Sequence, residues 1–282
     1  MAILMDGKAL AAKKMEALKG RVDALKEKGR TPSLRVVQVG DDPASGVYIR
    51  QKEKACMELR IGFCHDHIPI ENEISYPLFL RRLESLESII RDYSGTIMQL
   101  PLPEYMNKIK YTIPLDQDVD ALSTMNAGLL YQGSADGFVP CTAKGILELL
   151  KAYGVPLKGK HAVIVGRSNI VGKPTAMLLL NEDCTVTICH SKTMFLNTYT
   201  RQADILVVAA GKPGLITAEY VKRGAAVIDV GISRVDGKLR GDVDFDSVEP
   251  IAGWITPVPG GVGPMTVAML MENVIIAEKR RG

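Results

Sequence analysis

Apolar side chains recur at helical spacing through residues 2–28, at Leu10, Met15, Leu18, Val22 and Leu25, with lysines between them. This pattern predicts an amphipathic surface helix. The period then changes. Residues 34–39 are a mostly apolar run that reads as a strand, closed by the turn Gly40-Asp41-Asp42-Pro43. Ser45 is placed to cap a helix running to about Leu59, and Gly62 to end it. A second strand is expected over 61–70, a helix over 78–93, and a third strand over 95–100, just before Pro101-Leu102-Pro103. The alternation β-α-β-α-β predicts a small α/β layer.

The second half repeats the alternation without repeating the sequence. A helix is expected over 142–153 and a buried strand over 160–165, with Gly166 opening a turn into a helix over 174–181. Further strands are expected at 185–189, 205–209 and 225–230, and a last helix over 266–280 behind a proline- and glycine-rich loop. Short apolar strands separated by helices require a parallel sheet covered on both faces.

Composition narrows the class. Hydrophobic residues make up 46% and charged residues 24% of 282, so a packed core is expected. The net charge of +3 is too small to imply a nucleic-acid partner, and the cations are spread along the chain. Lys279-Arg280-Arg281 is the one local excess and reads as a solvated helix end. Cys56, Cys64, Cys141, Cys184 and Cys189 include no pair with zinc-site or dithiol spacing, so reduced thiols in a cytoplasmic protein are expected. No run approaches a membrane span, the first ten residues do not read as a signal peptide, and no constellation suggests a metal.

The strongest chemical signal is Gly166-Arg167-Ser168-Asn169-Ile170-Val171-Gly172, between an expected strand and an expected helix. A strand that turns tightly into a helix aims backbone N–H groups at a ligand phosphate. The usual dinucleotide fingerprint has glycine first, third and sixth. Here Gly166, Ser168 and Val171 hold those places, so the bare pattern is weak and its context carries it. A purely structural turn is the alternative. After the next strand an NAD site generally has an acid for the ribose 2′-hydroxyl, whereas this chain reads Cys189-His190-Ser191-Lys192-Thr193. Arg167, His190, Ser191 and Lys192 instead offer donors for a 2′-phosphate, which favours NADP, although Lys192 reads equally well as a solvated lysine. Further along, Gly231 would let backbone approach a cofactor, Ile232 is placed to meet its nicotinamide end, and Asp229 reads as structural.

Tyr48 and Lys52 stand four residues apart and share one helix face, with Lys54 roughly opposite. Such a pair is common on any surface. Three more segments change its weight: Gln99-Leu100-Pro101-Leu102-Pro103, Asp118-Val119-Asp120, and Thr256-Pro257-Val258-Pro259-Gly260-Gly261-Val262-Gly263-Pro264-Met265-Thr266. With the Gly166–Pro174 and Cys189–Thr193 motifs, they resemble in order and spacing the bifunctional methylenetetrahydrofolate dehydrogenase/cyclohydrolases, over residues 7–276.

The resemblance implies NADP-dependent oxidation of 5,10-methylenetetrahydrofolate to the 5,10-methenyl form. Hydrolysis to 10-formyltetrahydrofolate comes next, in support of purine and other one-carbon biosynthesis. It implies catalytic roles for Lys52, Tyr48, Gln99 and Asp120, with Lys52 handling protons and its pKa lowered from about 10.4. Tyr48, Gln99, Asp120, Pro259, Gly260 and Gly261 become substrate contacts, and Gly166, Arg167, Ser168, Ser191 and Ile232 cofactor contacts. From the residues alone Asp120 reads as a cap or turn; the resemblance points it at the pterin's N–H donors, which a carboxylate accepts in pairs.

The implied architecture is two-domain α/β. Residues 1–140 form a folate-binding catalytic domain, 141–265 form a Rossmann-type NADP domain, and helix 266–282 packs back on the first domain. The resemblance also implies a cleft between the domains and a homodimer, and a cytoplasmic protein is expected. Four positions depart from the family's usual residues: Ala121 for glycine, Ala143 for proline, Gln117 for lysine and Ser94 for histidine.

Overall fold

The computed structural model describes residues 1–68, 92–103 and 113–281, apart from the side chains of residues 43 and 44. The helix expected over 78–93 and the end of the strand expected over 61–70 fall largely on 69–91, outside the described residues. The chain divides into two compact units. One comprises Met1–Lys13, Leu130–Ser134 and Pro140–Met269; the other comprises Lys14–Leu129, Ala135–Val139 and Leu270–Gly282.

The chain opens with β1 (Ile3–Leu4) and α1 (Gly7–Lys26). The helix expected from residue 2 therefore starts later. Ile3 and Leu4 pair in parallel with Trp254 and Ile255, and Asp6 caps the helix by accepting from the Ala9 N–H at 2.9 Å. The apolar spacing continues back through these residues, so periodicity alone does not locate the break. The edge strand belongs to the larger sheet, a placement that the division at residues 140/141 does not anticipate.

Next come β2 (Ser33–Val39), α2 (Pro43–Leu59), β3 (Gly62–Ile68) and β4 (Gly95–Met98). The three strands form a parallel sheet with β2 in the centre. Leu34, Val36, Val37 and Val39 are buried on both faces of β2, as a central strand requires. Arg35 is buried among them and keeps its charge paired with Asp66.

Helix α2 is capped by Asp42, not Ser45. The Asp42 carboxylate accepts from the Ser45 N–H and hydroxyl, both at 2.8 Å. The helix ends on Arg60, not Gly62; at φ 56° Arg60 donates its N–H to the Cys56 and Met57 carbonyls. Helix α3 (Thr124–Tyr131) has no counterpart in the expected elements. It is anchored by Asp118, whose buried carboxylate accepts from Leu122 N (3.0 Å), Ser123 N (2.7 Å) and Asn126 Nδ2 (2.8 Å).

The remaining elements are α4 (Cys141–Ala152), β5 (His161–Val165), α5 (Gly172–Asn181), β6 (Thr185–Cys189), α6 (Leu196–Thr200), β7 (Ile205–Val208) and β8 (Ala226–Asp229). After them come β9 (Ser233–Val235), β10 (Lys238–Arg240), α7 (Phe245–Val248), β11 (Trp254–Ile255) and α8 (Val262–Arg280). The sheet order is β1-β11-β8-β7-β5-β6, with every pair parallel. Strands β5, β7 and β8 supply its core, where Val163, Leu206, Val208 and Val227 are buried. Helix α8 begins four residues before the expected start because Pro264 lies in its first turn, where a missing N–H costs no hydrogen bond. Within the three-stranded unit its later half is tied to chain on both sides. Asn273 donates to the Val119 carbonyl at 2.9 Å, and Glu278 accepts from the Ser94 hydroxyl at 2.7 Å.

Asp118→Ala strips the acceptor from two backbone N–H groups and an amide. Charged hydrogen bonds contribute about 1.5–3 kcal/mol each, so the variant is expected to unfold about 3 kcal/mol more easily in urea, with Asp118→Asn between it and the parent. Equal urea midpoints for all three proteins would remove Asp118 from this role.

Candidate active site

Helix α2 buries Ser45, Ile49, Cys56 and Leu59, a stripe with helical spacing. Lys52 falls on the same stripe, three residues after Ile49 and four before Cys56, so its stem runs along the helix's inner face. There it meets the end of β4: Lys52 Nζ donates to Gln99 Oε1 at 2.8 Å. Gln99 is buried, and its orientation is fixed twice. Its backbone N–H donates to the Val37 carbonyl at 2.8 Å, and its Nε2 donates to the Leu100 carbonyl at 2.8 Å. The Ser45 hydroxyl also reaches the Leu100 carbonyl, at 3.3 Å, so the start of α2 is fastened to the same turn. The Leu100–Pro101 bond in that turn is cis. Tyr48 lies one helical turn before Lys52 and is 45% exposed.

Asp120 is half-buried in the same unit. The preceding segment runs beside β4, where Thr96 N–H donates to the Gln117 carbonyl at 2.8 Å. Ala121 holds φ 55°, a left-handed conformation that glycine adopts without strain, and its N–H donates to the Asp118 carbonyl at 3.0 Å. The departure from glycine therefore keeps the backbone form that glycine would favour. Ser94 and Gln117 are likewise used locally: Ser94 pairs with Glu278, and Gln117 Nε2 donates to the Tyr93 carbonyl at 3.1 Å. Ala143 is buried in α4.

In the six-stranded unit, β5 ends at the point where the order reverses, with β6 on one side and β7 on the other. Ligands of open parallel sheets bind outside the carboxyl ends of the strands at such a point. Gly166 stands there with φ 138°, and a β-carbon on it would lie 2.3 Å from the Ala209 carbonyl oxygen. A β-carbon on Gly172 would lie 2.2 Å from the Gly166 carbonyl oxygen. The Ser168 hydroxyl accepts from Val171 N (3.1 Å) and Gly172 N (3.3 Å), shaping the turn into α5. The turn is thus as tight as a phosphate-binding loop requires, and Arg167 and Ser168 are exposed on it.

Two family profiles match the chain. Residues 5–120 match the tetrahydrofolate dehydrogenase/cyclohydrolase catalytic domain, and residues 140–282 match the tetrahydrofolate dehydrogenase/cyclohydrolase NAD(P)-binding domain. The chain belongs to the tetrahydrofolate dehydrogenase/cyclohydrolase family. It is 50% identical over 281 residues to the bifunctional protein FolD of Halalkalibacterium halodurans, covering 99% of each chain. The crystal structure of the bifunctional methylenetetrahydrofolate dehydrogenase/cyclohydrolase FolD from Campylobacter jejuni superimposes with a TM-score of 0.95, at 46% identity and 100% coverage of both chains. The Trypanosoma brucei FolD, solved with NADP cofactor and an inhibitor, superimposes with a TM-score of 0.89 at 38% identity, covering 99% of this chain and 98% of that one.

As a folate dehydrogenase/cyclohydrolase, the chain is an oxidoreductase and a hydrolase of two α/β domains. At the end of β6, the His190 N–H donates to the Thr193 hydroxyl at 2.9 Å and the Lys192 N–H to His190 Nδ1 at 3.2 Å. This local turn leaves Ser191 and Lys192 exposed. Beyond β8, Ile232 is 46% exposed. In the loop before α8, Val258–Pro259 is cis and Gly260 has φ 110°. Its backbone is fastened by the chain's start: Lys8 N–H donates to the Gly260 carbonyl at 2.8 Å, and a β-carbon on Gly7 would lie 1.8 Å from the Gly261 carbonyl oxygen. Pro259 is exposed, whereas Gly261 is buried against Thr256 and Pro257.

Asp229 has a defined structural use. Its carboxylate accepts from Gly231 N (3.0 Å), Asp242 N (2.9 Å) and Val243 N (2.9 Å). Asp242 does not stand out in the sequence. It is fully buried and accepts from Ala210 N (2.7 Å) and Gly211 N (2.8 Å). The only local hint is the glycine on its N-terminal side; its partners are some thirty residues away, beyond the reach of short-range patterns.

Burial raises the Asp229 carboxyl to about 6 from an ordinary 3.8, outweighing the three N–H donors. Since the folded protein holds this proton more tightly than the unfolded chain, the group's contribution to stability is complete below pH 3.8 and is lost as pH rises to about 6. Asp229→Asn is expected to flatten that part of the curve of unfolding free energy against pH. A variant whose curve keeps the parent's slope between about pH 4 and 6 would place the proton elsewhere.

Proposed function

We propose that this chain oxidises 5,10-methylenetetrahydrofolate with NADP and hydrolyses the methenyl product to 10-formyltetrahydrofolate, with Lys52 as the proton-handling group of the second reaction. The observation that carries this reading is the 2.8 Å bond from Lys52 Nζ to Gln99 Oε1, made from the inner face of α2. A lysine amine keeps N–H groups whether charged or neutral. The bond to Gln99 therefore holds Nζ in place in both states, leaving the lone pair of the neutral form to take a proton from the attacking water. Tyr48, one turn earlier on the same helix, orients the pterin with its ring and hydroxyl. Asp120 accepts from the pterin's amino and N3–H donors, a task suited to a half-buried carboxylate.

The cofactor is NADP, which supplies the acceptor for the hydride lost from the methylene carbon. The Gly166–Gly172 turn fits its pyrophosphate, since the close backbone approaches at both glycines exclude side chains there and Ser168 holds the Val171 and Gly172 amides in a tight turn into the helix. Arg167 and Ser191, both exposed, donate to the 2′-phosphate, and Ser168 keeps its hydroxyl proton for the pyrophosphate. Ile232 meets the nicotinamide end, and Pro259, Gly260 and Gly261 form a rigid folate-side loop.

We infer a homodimer working in the cytoplasm on folate one-carbon substrates. Free cysteines support that compartment: Cys56, Cys141, Cys184 and Cys189 are buried, and burial pushes the Cys56 thiol up to about 12, which keeps it unreactive. No helix among the described residues is long and apolar enough to cross a membrane.

Lys52→Ala is expected to lower methenyl hydrolysis at least ~100-fold, the scale of general acid–base catalysis, while NADP affinity stays within about twofold, as for a residue that makes no cofactor contact. Rapid hydrolysis of added methenyltetrahydrofolate by the variant would sink the assignment. Arg167→Ala removes a charged donor. Its KM for NADP should rise about tenfold or more, equivalent to losing about 1.4 kcal/mol, while its KM for NAD stays nearly unchanged. Parallel rises for both cofactors would reject Arg167 as the 2′-phosphate contact.

A further inference from the structure

We propose that Asp242, held in place by Asp229, is a positioning residue for the dehydrogenase step, wedged between the loops after β7 and β8 so that it fixes their separation at the nicotinamide end of the cofactor. The proposal rests on the placement of Ile232 at that end. Both loops leave the carboxyl edge of the parallel sheet, where the cofactor of such a fold lies. On one side Asp242 Oδ2 accepts from two successive amides of the β7 loop, Ala210 N at 2.7 Å and Gly211 N at 2.8 Å. On the other side it is pressed against the β8 loop: a β-carbon on Gly231 would stand 2.2 Å from Asp242 Cγ and 2.4 Å from Oδ1. One carboxyl group therefore touches both loops, bonding the first and spacing the second.

Asp229 closes the arrangement. It accepts from the N–H groups of Asp242 itself, Gly231 and Val243, so the spacer and both ends of its loop hang on one carboxylate. Gly241 makes room for it, since a β-carbon there would lie 1.8 Å from Asp229 Oδ2. The β7 loop in turn abuts the phosphate turn, because Ala209 is the residue that Gly166 approaches. Asp242 Oδ1 is buried without a hydrogen-bond partner. A polar atom left unsatisfied in a core calls for a reason, and contact with the Gly231 backbone supplies one. Displacing either loop moves the residues around the nicotinamide while leaving Ser191, beyond β5 at the end of β6, in place. The expected consequence is a poorer hydride-transfer geometry with the cofactor still bound.

The chain's two activities provide the test, since methenyl hydrolysis needs no hydride transfer. Asp242→Asn keeps an acceptor for Ala210 and Gly211 but loses the charge, whereas Asp242→Ala loses both. Misplacement by an ångström is enough to slow a reaction on the order of 100-fold. The dehydrogenase kcat is expected to fall about 100-fold in Asp242→Ala and about tenfold in Asp242→Asn. The primary deuterium isotope effect with methylene-labelled folate should grow in both. NADP affinity by titration and methenyl hydrolysis should stay within about twofold of the parent, as for a residue acting on the hydride step alone. Equal losses in both activities would mean that Asp242 only holds the fold together. Unchanged kcat and isotope effect in both variants would equally overturn the proposal; should Asp242→Ala not fold, Asp242→Asn alone decides. Ile232→Pro separates the two readings. If it impairs hydride transfer while the Asp242 variants do not, the nicotinamide assignment stands and the spacer falls; if it too changes nothing, the nicotinamide assignment falls as well.

Discussion

A methyl group on Gly166 would stand 2.3 Å from the Ala209 carbonyl oxygen, and one on Gly172 would stand 2.2 Å from the Gly166 carbonyl oxygen. Backbone must therefore press on backbone where β5 turns into α5, and much of the larger unit depends on that demand. β5 and β7 have to be adjacent and parallel for Ala209 to lie there, and β6 has to cross to the other side. The helix can then start soon after the strand, as a phosphate-binding turn requires. The bare glycine fingerprint is imperfect, with Ser168 and Val171 in two of the three usual places. Geometry explains the tolerance. The two positions that cannot bear a side chain are Gly166 and Gly172, and both are glycine, while the Ser168 hydroxyl serves the turn by accepting two of its amides.

The parts of the fold that are legible in the sequence are those set by local periodicity. Strand β6 matches its expected bounds, and β5, β7, β8 and α4 differ from theirs by a residue or so, since continuous buried runs and helical stripes are carried by neighbouring residues. The elements that escape such a reading depend on partners far along the chain. β1 is two exposed residues long and becomes a strand only because β11, some 250 residues later, offers it an edge. The β9–β10 hairpin is short, largely polar and packs little of itself away, so no alternation marks it. The cap of α2 falls to Asp42 rather than Ser45, and an Asp directly before a proline that starts a helix is a regular signal; Ser45 is instead bonded to that cap.

The candidate site divides in the same way. Tyr48 and Lys52 can be placed on one helix face from spacing alone, but the spacing also puts Lys52 on the buried stripe with Ile49 and Cys56. A lysine on an inner face needs a polar partner, and Gln99 provides it from the end of an edge strand of the three-stranded sheet. That pairing turns a common surface motif into an oriented amine. Spacing along the chain does not show it, because it joins residues 47 apart, and only the family resemblance brings Gln99 to Lys52. Ala121 shows the converse. The family's usual glycine there suggests a displaced Asp120, yet the alanine accepts the left-handed conformation, at a cost of about 1–2 kcal/mol, because the turn from Asp118 holds it.

Three aspartates are buried among the described residues, and all of them bind backbone. Asp118, Asp229 and Asp242 together accept from seven main-chain N–H groups, each carboxylate joining one loop to a neighbouring stretch of chain. Charged acceptors are strong but expensive to bury, so each is worth keeping only where several donors converge and the loop geometry matters. Asp118 and Asp120 show how little sequence separates this duty from another. They lie two residues apart, and the first is sealed inside with its donors while the second is half-buried. In a motif with two identical acids, burial separates them: the sealed carboxylate builds the loop, and the more accessible one is the acid proposed to meet the pterin's donors.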